Sequence, residues 1–340
     1  MPYVSQRLSP KEALGLFDAG LHELLQEAHR TKLSLHGERV YYSLNLHINY
    51  TDYCVSRCGF CAFWRDRESS QTLSVEEVLS TIGNSLTELH ITGGLNPELG
   101  IGYYEEMIRR IKERNPRITL KGFTATEIAF IAHKEGMNTI DVLGRLKDAG
   151  LDALPGGGAE VLSERLHREL FPRKADPETW LRVHKEAHSL GIRSNATMLF
   201  GHRETRHEII RHLELLRELQ DETGGFMCFV PLPFQRRNNP LGQGIKPLSS
   251  QEILRVIAIS RLFLDNFSHI KAYWIMTGPR LAAVALCSGA DDLDGTVGHE
   301  RVAHSAGAES PFGLAEDEVK EIIRWAGGVP VKRDGLYNLL

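Results

Sequence analysis

Hydrophobic positions along the chain recur with two alternating periods. Short runs with closely spaced apolar residues fall at 43–48, 88–92, 119–123, 151–154, 193–199, 226–231 and 270–274, with a weaker one at 292–295. Such runs, bounded by glycine and polar turn residues, predict strands. Between them lie amphipathic stretches with helical spacing. Ser9-Pro10-Lys11-Glu12 opens the first helix, whose apolar face is Leu14, Leu16, Phe17, Leu21, Leu24 and Leu25. Ser74 to Glu77, Thr205 to Glu208 and Ser249 to Glu252 have capping-box spacing, and Asp176-Pro177 opens a further helix. Gly150 and Gly191 stand where helices should stop. Strand followed by helix, repeated up to eight times, predicts an α/β chain folded as a (β/α) TIM-type barrel. An open doubly wound sheet is the alternative. On this reading 1–40 form an N-terminal helical extension, 41–297 the barrel, and 298–340 a C-terminal helical extension packed on it.

Composition narrows the function classes. The 340 residues are 42% hydrophobic, enough for a sizeable core, and 40 basic residues against 44 acidic ones leave a net charge of −4. That balance argues against a broad nucleic-acid surface. No apolar stretch approaches the ~20 residues that span a bilayer, and the first residues lack a signal-peptide pattern. A cytoplasmic protein with no membrane or nucleic-acid partner is expected.

Five cysteines are distributed unevenly. Cys54, Cys58 and Cys61 fall in one Cys-x3-Cys-x2-Cys run directly after the first predicted strand, while Cys228 and Cys287 stand apart and read as small apolar residues. Loops after barrel strands lie on the face that carries active sites. Three clustered thiolates suit three irons of a [4Fe–4S] cluster, leaving the fourth iron open to a small molecule. A structural zinc wants four closed ligands, and His47, seven residues upstream in a strand, is poorly placed as the fourth. A non-catalytic iron–sulfur or zinc protein is the reading of a different class. Gly93-Gly94 follows the second strand, where adjacent glycines permit close backbone approach. His184-Lys185-Glu186-Ala187-His188 lacks the glutamate position of a zinc protease, and neither a Walker loop nor a dinucleotide fingerprint is present.

The cysteine spacing, with aromatic Phe60 just before the last cysteine, resembles the radical S-adenosylmethionine superfamily. The resemblance implies that S-adenosylmethionine chelates the open iron and is cleaved to methionine and a 5′-deoxyadenosyl radical. It places Phe60 near the adenine, and Thr92, Gly93 and Gly94 against the methionine amino group. Leu95 stands where the superfamily has a glutamate. Segments 122–128, 154–160, 194–202, 219–226, 271–274 and 290–296 resemble the aminodeoxyfutalosine synthase family of menaquinone biosynthesis. Cyclic dehypoxanthine futalosine synthases and enzymes of the F420 chromophore are related alternatives.

What the family resemblance implies is a transferase. The radical adds through C5′ to the enolpyruvyl double bond of 3-[(1-carboxyvinyl)oxy]benzoate, the aryl group migrates, and bicarbonate is lost to give 6-amino-6-deoxyfutalosine. S-adenosylmethionine is then a co-substrate, and a reducing donor such as flavodoxin or ferredoxin supplies the electron. Glu160, past the glycines at 156–158, is the candidate for the ribose or methionine groups. A dicarboxylate substrate requires donors in the cavity. Asn195 and His202 are the first candidates, with His202 also suited to proton transfer. Arg236, Arg237, Lys271 and Tyr273 follow, together with Asp292 and Asp294 as a carboxylate pair.

Overall fold

The computed structural model describes residues 7–83 and 85–340, so the first six residues of the expected N-terminal extension lie outside it. Ten strands are present: β1 (Arg39–Ser43), β2 (Asn45–Ile48), β3 (Glu88–Ile91), β4 (Thr119–Gly122), β5 (Ala153–Leu154), β6 (Arg193–Phe200), β7 (Phe226–Pro233), β8 (His269–Ile270), β9 (Asp292–Gly295) and β10 (Val329–Lys332). Strands β2 to β8 lie side by side in chain order, every pairing parallel.

The ring closes through one broken strand. β1 and β2 are a single run interrupted at Leu44, whose N–H turns to Thr87 Oγ1 at 3.1 Å. The first half pairs with β9, and β9 meets β8 through the bridge Lys271–Asp292, where Asp291 N–H donates to Ile270 O and Ala272 N–H to Asp292 O. Eight strand positions therefore complete a barrel.

The C-terminal segment is more than the expected helical extension. After the helix Glu316–Trp325, β10 pairs with β1 along the edge that β3 occupies beside β2. It thereby fills the ring beneath the short β3 and delivers Arg333 to the barrel floor. Arg333 is fully buried and bonds Asp292 at 2.6 Å and Glu88 at 3.2 Å, while Lys121 takes the other oxygen of Glu88 at 2.9 Å. Lys271 adds an ion pair with Asp294. Three cations thus match three carboxylates, which is how charges are tolerated in a dry interior.

The N-terminal apolar face is divided into two helices, Pro10–Gly15 and Leu21–His36. Arg255 holds the break by donating to Leu16 O and Ala19 O at 3.0 and 2.8 Å. Local start signals act as their chemistry requires. Ser9, Ser74, Thr205 and Ser249 each close a capping box, as does Thr124. Gly150, at φ 116°, ends a helix in a conformation that suits glycine. The predicted seventh strand stops early, because Trp274 begins a short helix and its indole N–H donates to Gly295 O at 2.9 Å.

Candidate active site

The loop after β2 brings Cys54, Cys58 and Cys61 to the wall of one cavity of about 320 Å³ at the C-terminal ends of the strands. Backbone contacts define the loop: Cys61 N–H donates to Cys58 O, Gly59 N–H to Leu170 O and Val55 N–H to Leu95 O. Burial pushes the Cys58 thiol up to about 12, and raises that of Cys61. Beside these sulfurs lies the buried ammonium of Lys174, ion-paired with Glu160 and stacked over Phe60 and Phe171 at 5.5 and 5.3 Å. Burial opposes its charge, yet Glu160 and Cys58 together hold it above the usual lysine range.

Gly93 and Gly94 pack directly against the cysteine loop and line the cavity beside it. A Cβ on Gly94 would sit 2.3 Å from Tyr53 O and 2.9 Å from Cys54 Cβ, and one on Gly93 would enter the Tyr50 ring at 2.6 Å. These two residues must be glycine for the cysteine loop to close against β3. In place of the acidic residue missing at Leu95, Glu127 faces the same cavity from the helix Ala125–Glu135. Its carboxylate accepts Gly93 N–H at 3.0 Å and the Tyr50 hydroxyl at 2.8 Å. Next to it Thr126 Oγ1 is buried with no hydrogen-bond partner. Gly156 packs so tightly that a Cβ would come within 2.6 Å of the Ala196 backbone.

Deeper in the barrel the lining changes. Asn195, Thr197 and Leu199 alternate along β6, as do Val230 and Leu232 along β7 with Phe234 just beyond it, each presenting one face to the cavity. His47, His90, Lys271, Tyr273 and Asp294 form the inner end. Glu300, Val302, Ala303 and Ala306 cover it from above, on a segment tied to the cysteine loop by Arg301 N–H donating to Asn49 Oδ1 at 3.0 Å and by the Arg301–Asp52 pair.

Twelve of the residues singled out from the sequence meet here: the three cysteines, Phe60, Thr92, Gly93, Gly94, Glu160, Asn195, Lys271, Tyr273 and Asp294. Four are placed elsewhere. His202 follows the left-handed turn at Gly201, and its Nε2 bonds Leu199 O at 2.9 Å, so the buried ring points away from the cavity. Arg236 is exposed beyond the end of β7, where Gln235 turns inward instead, and its neighbour Arg237 pairs with Glu309. Asp292 shares a strand face with Asp294 but lies two residues lower, locked to Arg333 in the floor. Sequence patterning also missed Lys174, Glu127, His90 and Glu300. Of these only Glu127 carries a local signal, the Thr124-x-x-Glu127 capping box.

The donor set fits the implied cluster. Two thiolates on one zinc lie no more than about 4.6 Å apart, twice the Zn–S bond. The three sulfurs do not all fall within 4.8 Å of one another, a spacing reached among the described residues only by His36, His269 and Asp291. A polynuclear iron–sulfur centre, which spreads its ligands wider, suits three such cysteines. The His36–His269–Asp291 group lies away from the cavity, and Arg261 already neutralises its carboxylate.

A barrel of this order with three open-face cysteines defines an iron–sulfur enzyme, and comparison with known proteins is in accord. Residues 48–216 match the model of the radical SAM superfamily, and 223–340 that of the CofH/MqnC C-terminal region. The chain is similar to the aminodeoxyfutalosine synthase of Thermus thermophilus, 42% identical over 343 residues covering 98% of this chain and 92% of that protein. It is also similar to the 5-amino-6-(D-ribitylamino)uracil–L-tyrosine 4-hydroxyphenyl transferase of Archaeoglobus fulgidus, 37% identical over 94% of both chains. Among solved structures, methylornithine synthase shares the fold with a TM-score of 0.76 over 96% of this chain and 95% of that one, at 17% identity. The chain is an enzyme of the radical SAM superfamily, which uses a [4Fe–4S] cluster and S-adenosylmethionine. Within it, the chain belongs to the family that includes the aminodeoxyfutalosine synthases and carries the CofH/MqnC C-terminal region. No helix among the described residues is long and apolar enough to cross a membrane.

Proposed function

We propose that the enzyme forms 6-amino-6-deoxyfutalosine from 3-[(1-carboxyvinyl)oxy]benzoate, S-adenosylmethionine and water, releasing methionine and bicarbonate, as a step of menaquinone biosynthesis. The observation that carries this reading is the 42% identity to an aminodeoxyfutalosine synthase along nearly the whole of both chains. The cavity agrees in character, with a polar end at the cysteines, apolar walls on β6 and β7, and polar groups again at its depth. A small, cytoplasmic reducing protein such as a flavodoxin or ferredoxin is the proposed electron donor.

Cys54, Cys58 and Cys61 would hold the cluster. When bound, it supplies the electron that releases the adenosyl radical from S-adenosylmethionine. The remaining work belongs to this chain's own groups. Gly93 and Gly94 let the backbone approach the methionine end, and Glu127 fixes that backbone by accepting Gly93 N–H. Lys174 and Glu160, with Phe60 beneath the ammonium, offer a charged pair for the polar groups of the cofactor. Asn195, whose buried Oδ1 has no partner, is a substrate contact. The covering segment at Glu300 to Ala306 shields the reacting groups from oxygen, which would trap a carbon radical.

Anaerobically reconstituted enzyme, reduced and supplied with the enolpyruvyl benzoate, should yield a product retaining the adenine in mass analysis. Formation of 5′-deoxyadenosine alone would overturn the reading. Turnover of tyrosine or of dehypoxanthine futalosine would assign the chain to one of its relatives' reactions instead.

A further inference from the structure

The inner end of the cavity holds three aromatic rings whose polar edges make no hydrogen bond among the described residues, the nearest carboxylate oxygen to His47 Nε2 being Asp294 Oδ2 at 3.9 Å. His90 on β3 stacks on His47 of β2, centroids 4.4 Å apart and planes 27° apart, because the parallel register sets the two residues opposite each other. Tyr273, just after β8, lies nearly parallel to His47 at 6.2 Å and 12°. His47 Nε2 is buried without a hydrogen-bond partner. Among the described residues, neither the His90 ring nor the Tyr273 hydroxyl makes a hydrogen bond to protein, and all three side chains line the cavity. Unused polar groups inside a barrel are costly, so a row of them facing one space points to a polar ligand.

The surroundings say which kind. Two carboxylates face the rings, and both are engaged: Asp294 by Lys271 and by Asn45 Nδ2 at 3.1 Å, and Glu300 by the backbone N–H groups of Val302 and Ala303 at 2.9 Å each. Burial and the neighbouring cations outweigh the carboxylates around the two histidines and hold both rings neutral, so each carries a donor N–H. Neutral N–H and O–H donors in a row, beside a lysine whose charge its own partner balances, suit a single anionic oxygen pair.

Depth selects the position of that anion. His90 precedes Gly93 by three residues on a strand running toward the cysteine side, roughly 10 Å at the rise of a β-strand. On the reaction proposed above, the vinyl carbon must meet C5′ beside the cysteines. The enolpyruvyl carboxylate then stays at that end, and the carboxylate on the aromatic ring reaches deepest.

We propose that His90, His47 and Tyr273 form the seat of the ring carboxylate and select an aryl-carboxylate substrate over an uncharged aryl ring. The proposal rests on the function stated above, and its test separates the two. Binding of 3-hydroxybenzoate and of phenol to the reconstituted holoenzyme is measured by calorimetry, for wild type and for His90→Phe, which keeps a ring but loses both nitrogens. Wild type should prefer the acid, and H90F should weaken the acid about 10- to 100-fold while changing phenol affinity less than about 3-fold, the scale of a hydrogen bond to a charged group. Should H90F fail to take up its cluster, His90→Gln, which retains one N–H, should keep part of the preference, and Tyr273→Phe should lower it. Equal loss for acid and phenol, an unchanged preference, or no preference in wild type would overturn the seat. Acid preference in an enzyme that forms no adduct from the enolpyruvyl benzoate would overturn the reaction while leaving the seat in place.

Discussion

Replacing Gly94 by Ala tests whether the close approach of β3 to the cysteine loop is what positions the cluster ligands. The added Cβ would stand 2.3 Å from Tyr53 O, 2.8 Å from Tyr53 C and 2.9 Å from Cys54 Cβ. Real Cβ contacts essentially never fall below 3.0 Å, so the carbonyl must retreat by at least about 0.7 Å, and it is backbone rather than a flexible side-chain end. The same strain opposes the bond from Gly94 N–H to Thr51 O at 2.8 Å. Overpacking of this kind costs about 1–3 kcal/mol, small against the stability of a chain this size. Ligand distances in metal sites tolerate only about 0.2 Å, so the larger effect should fall on Cys54 and the cluster. The expected result is a folded G94A protein that retains less iron and sulfide per chain than wild type after anaerobic reconstitution. Cleavage of S-adenosylmethionine should fall about 100-fold, the scale of a misplacement near 1 Å. Gly102→Ala is the control: its Cβ meets nothing within 4 Å on the helix Ile101–Arg114, and it should be neutral or slightly stabilising. If G94A matched wild type in iron content and cleavage rate, the packing would not be what positions the ligands.

Two further outcomes follow from the electrostatics. Lys174→Met leaves Glu160 without its partner in a site where the two side chains are only 9% and 15% exposed, and should destabilise the apoprotein by about 3 kcal/mol in denaturant titration. The loss should shrink in the double variant with Glu160→Gln, and an equal loss in both backgrounds would show that the pair is not the cause. His304 is held protonated by Glu300 and by carbonyls at both ring nitrogens, raising it from 6.5 to about 9. Because the folded value is the higher one, this contribution is complete below pH 6.5 and is lost as pH rises through about 9. Amide exchange of the covering segment, corrected for intrinsic rates, should therefore accelerate between pH 7 and 10, and Glu300→Gln should weaken that dependence and move it to lower pH. Exchange unchanged with pH in wild type would sink the idea.

Local chemistry alone determined much of this molecule. All eight predicted strands exist within a few residues of their expected ends, and the helix starts follow from Ser or Thr with Glu three residues on. The Cys-x3-Cys-x2-Cys loop and Gly93-Gly94 are equally legible, because ligands and close backbone contacts need particular residues at fixed short spacing. β10 escaped notice because four residues with a proline, Val329-Pro330-Val331-Lys332, make a strand only beside β1, nearly three hundred residues earlier in the chain. Side-chain direction was the other blind spot. His202, Arg236 and Asp292 all have suitable chemistry close to strand ends, but a turn at Gly201, an early exit after β7 and a salt bridge to Arg333 each take them out of the cavity. Lys174 folds back onto Glu160 across the short helix Glu164–Leu170, and His90 meets His47 because β2 and β3 pair in register, neither of which residue spacing alone reveals. The sequence by itself determined the elements and the metal-binding loop, since those depend on neighbours within a few residues. Which polar groups face the substrate was decided by strand register, ring closure and the pairing of buried charges, which exist only in the folded barrel.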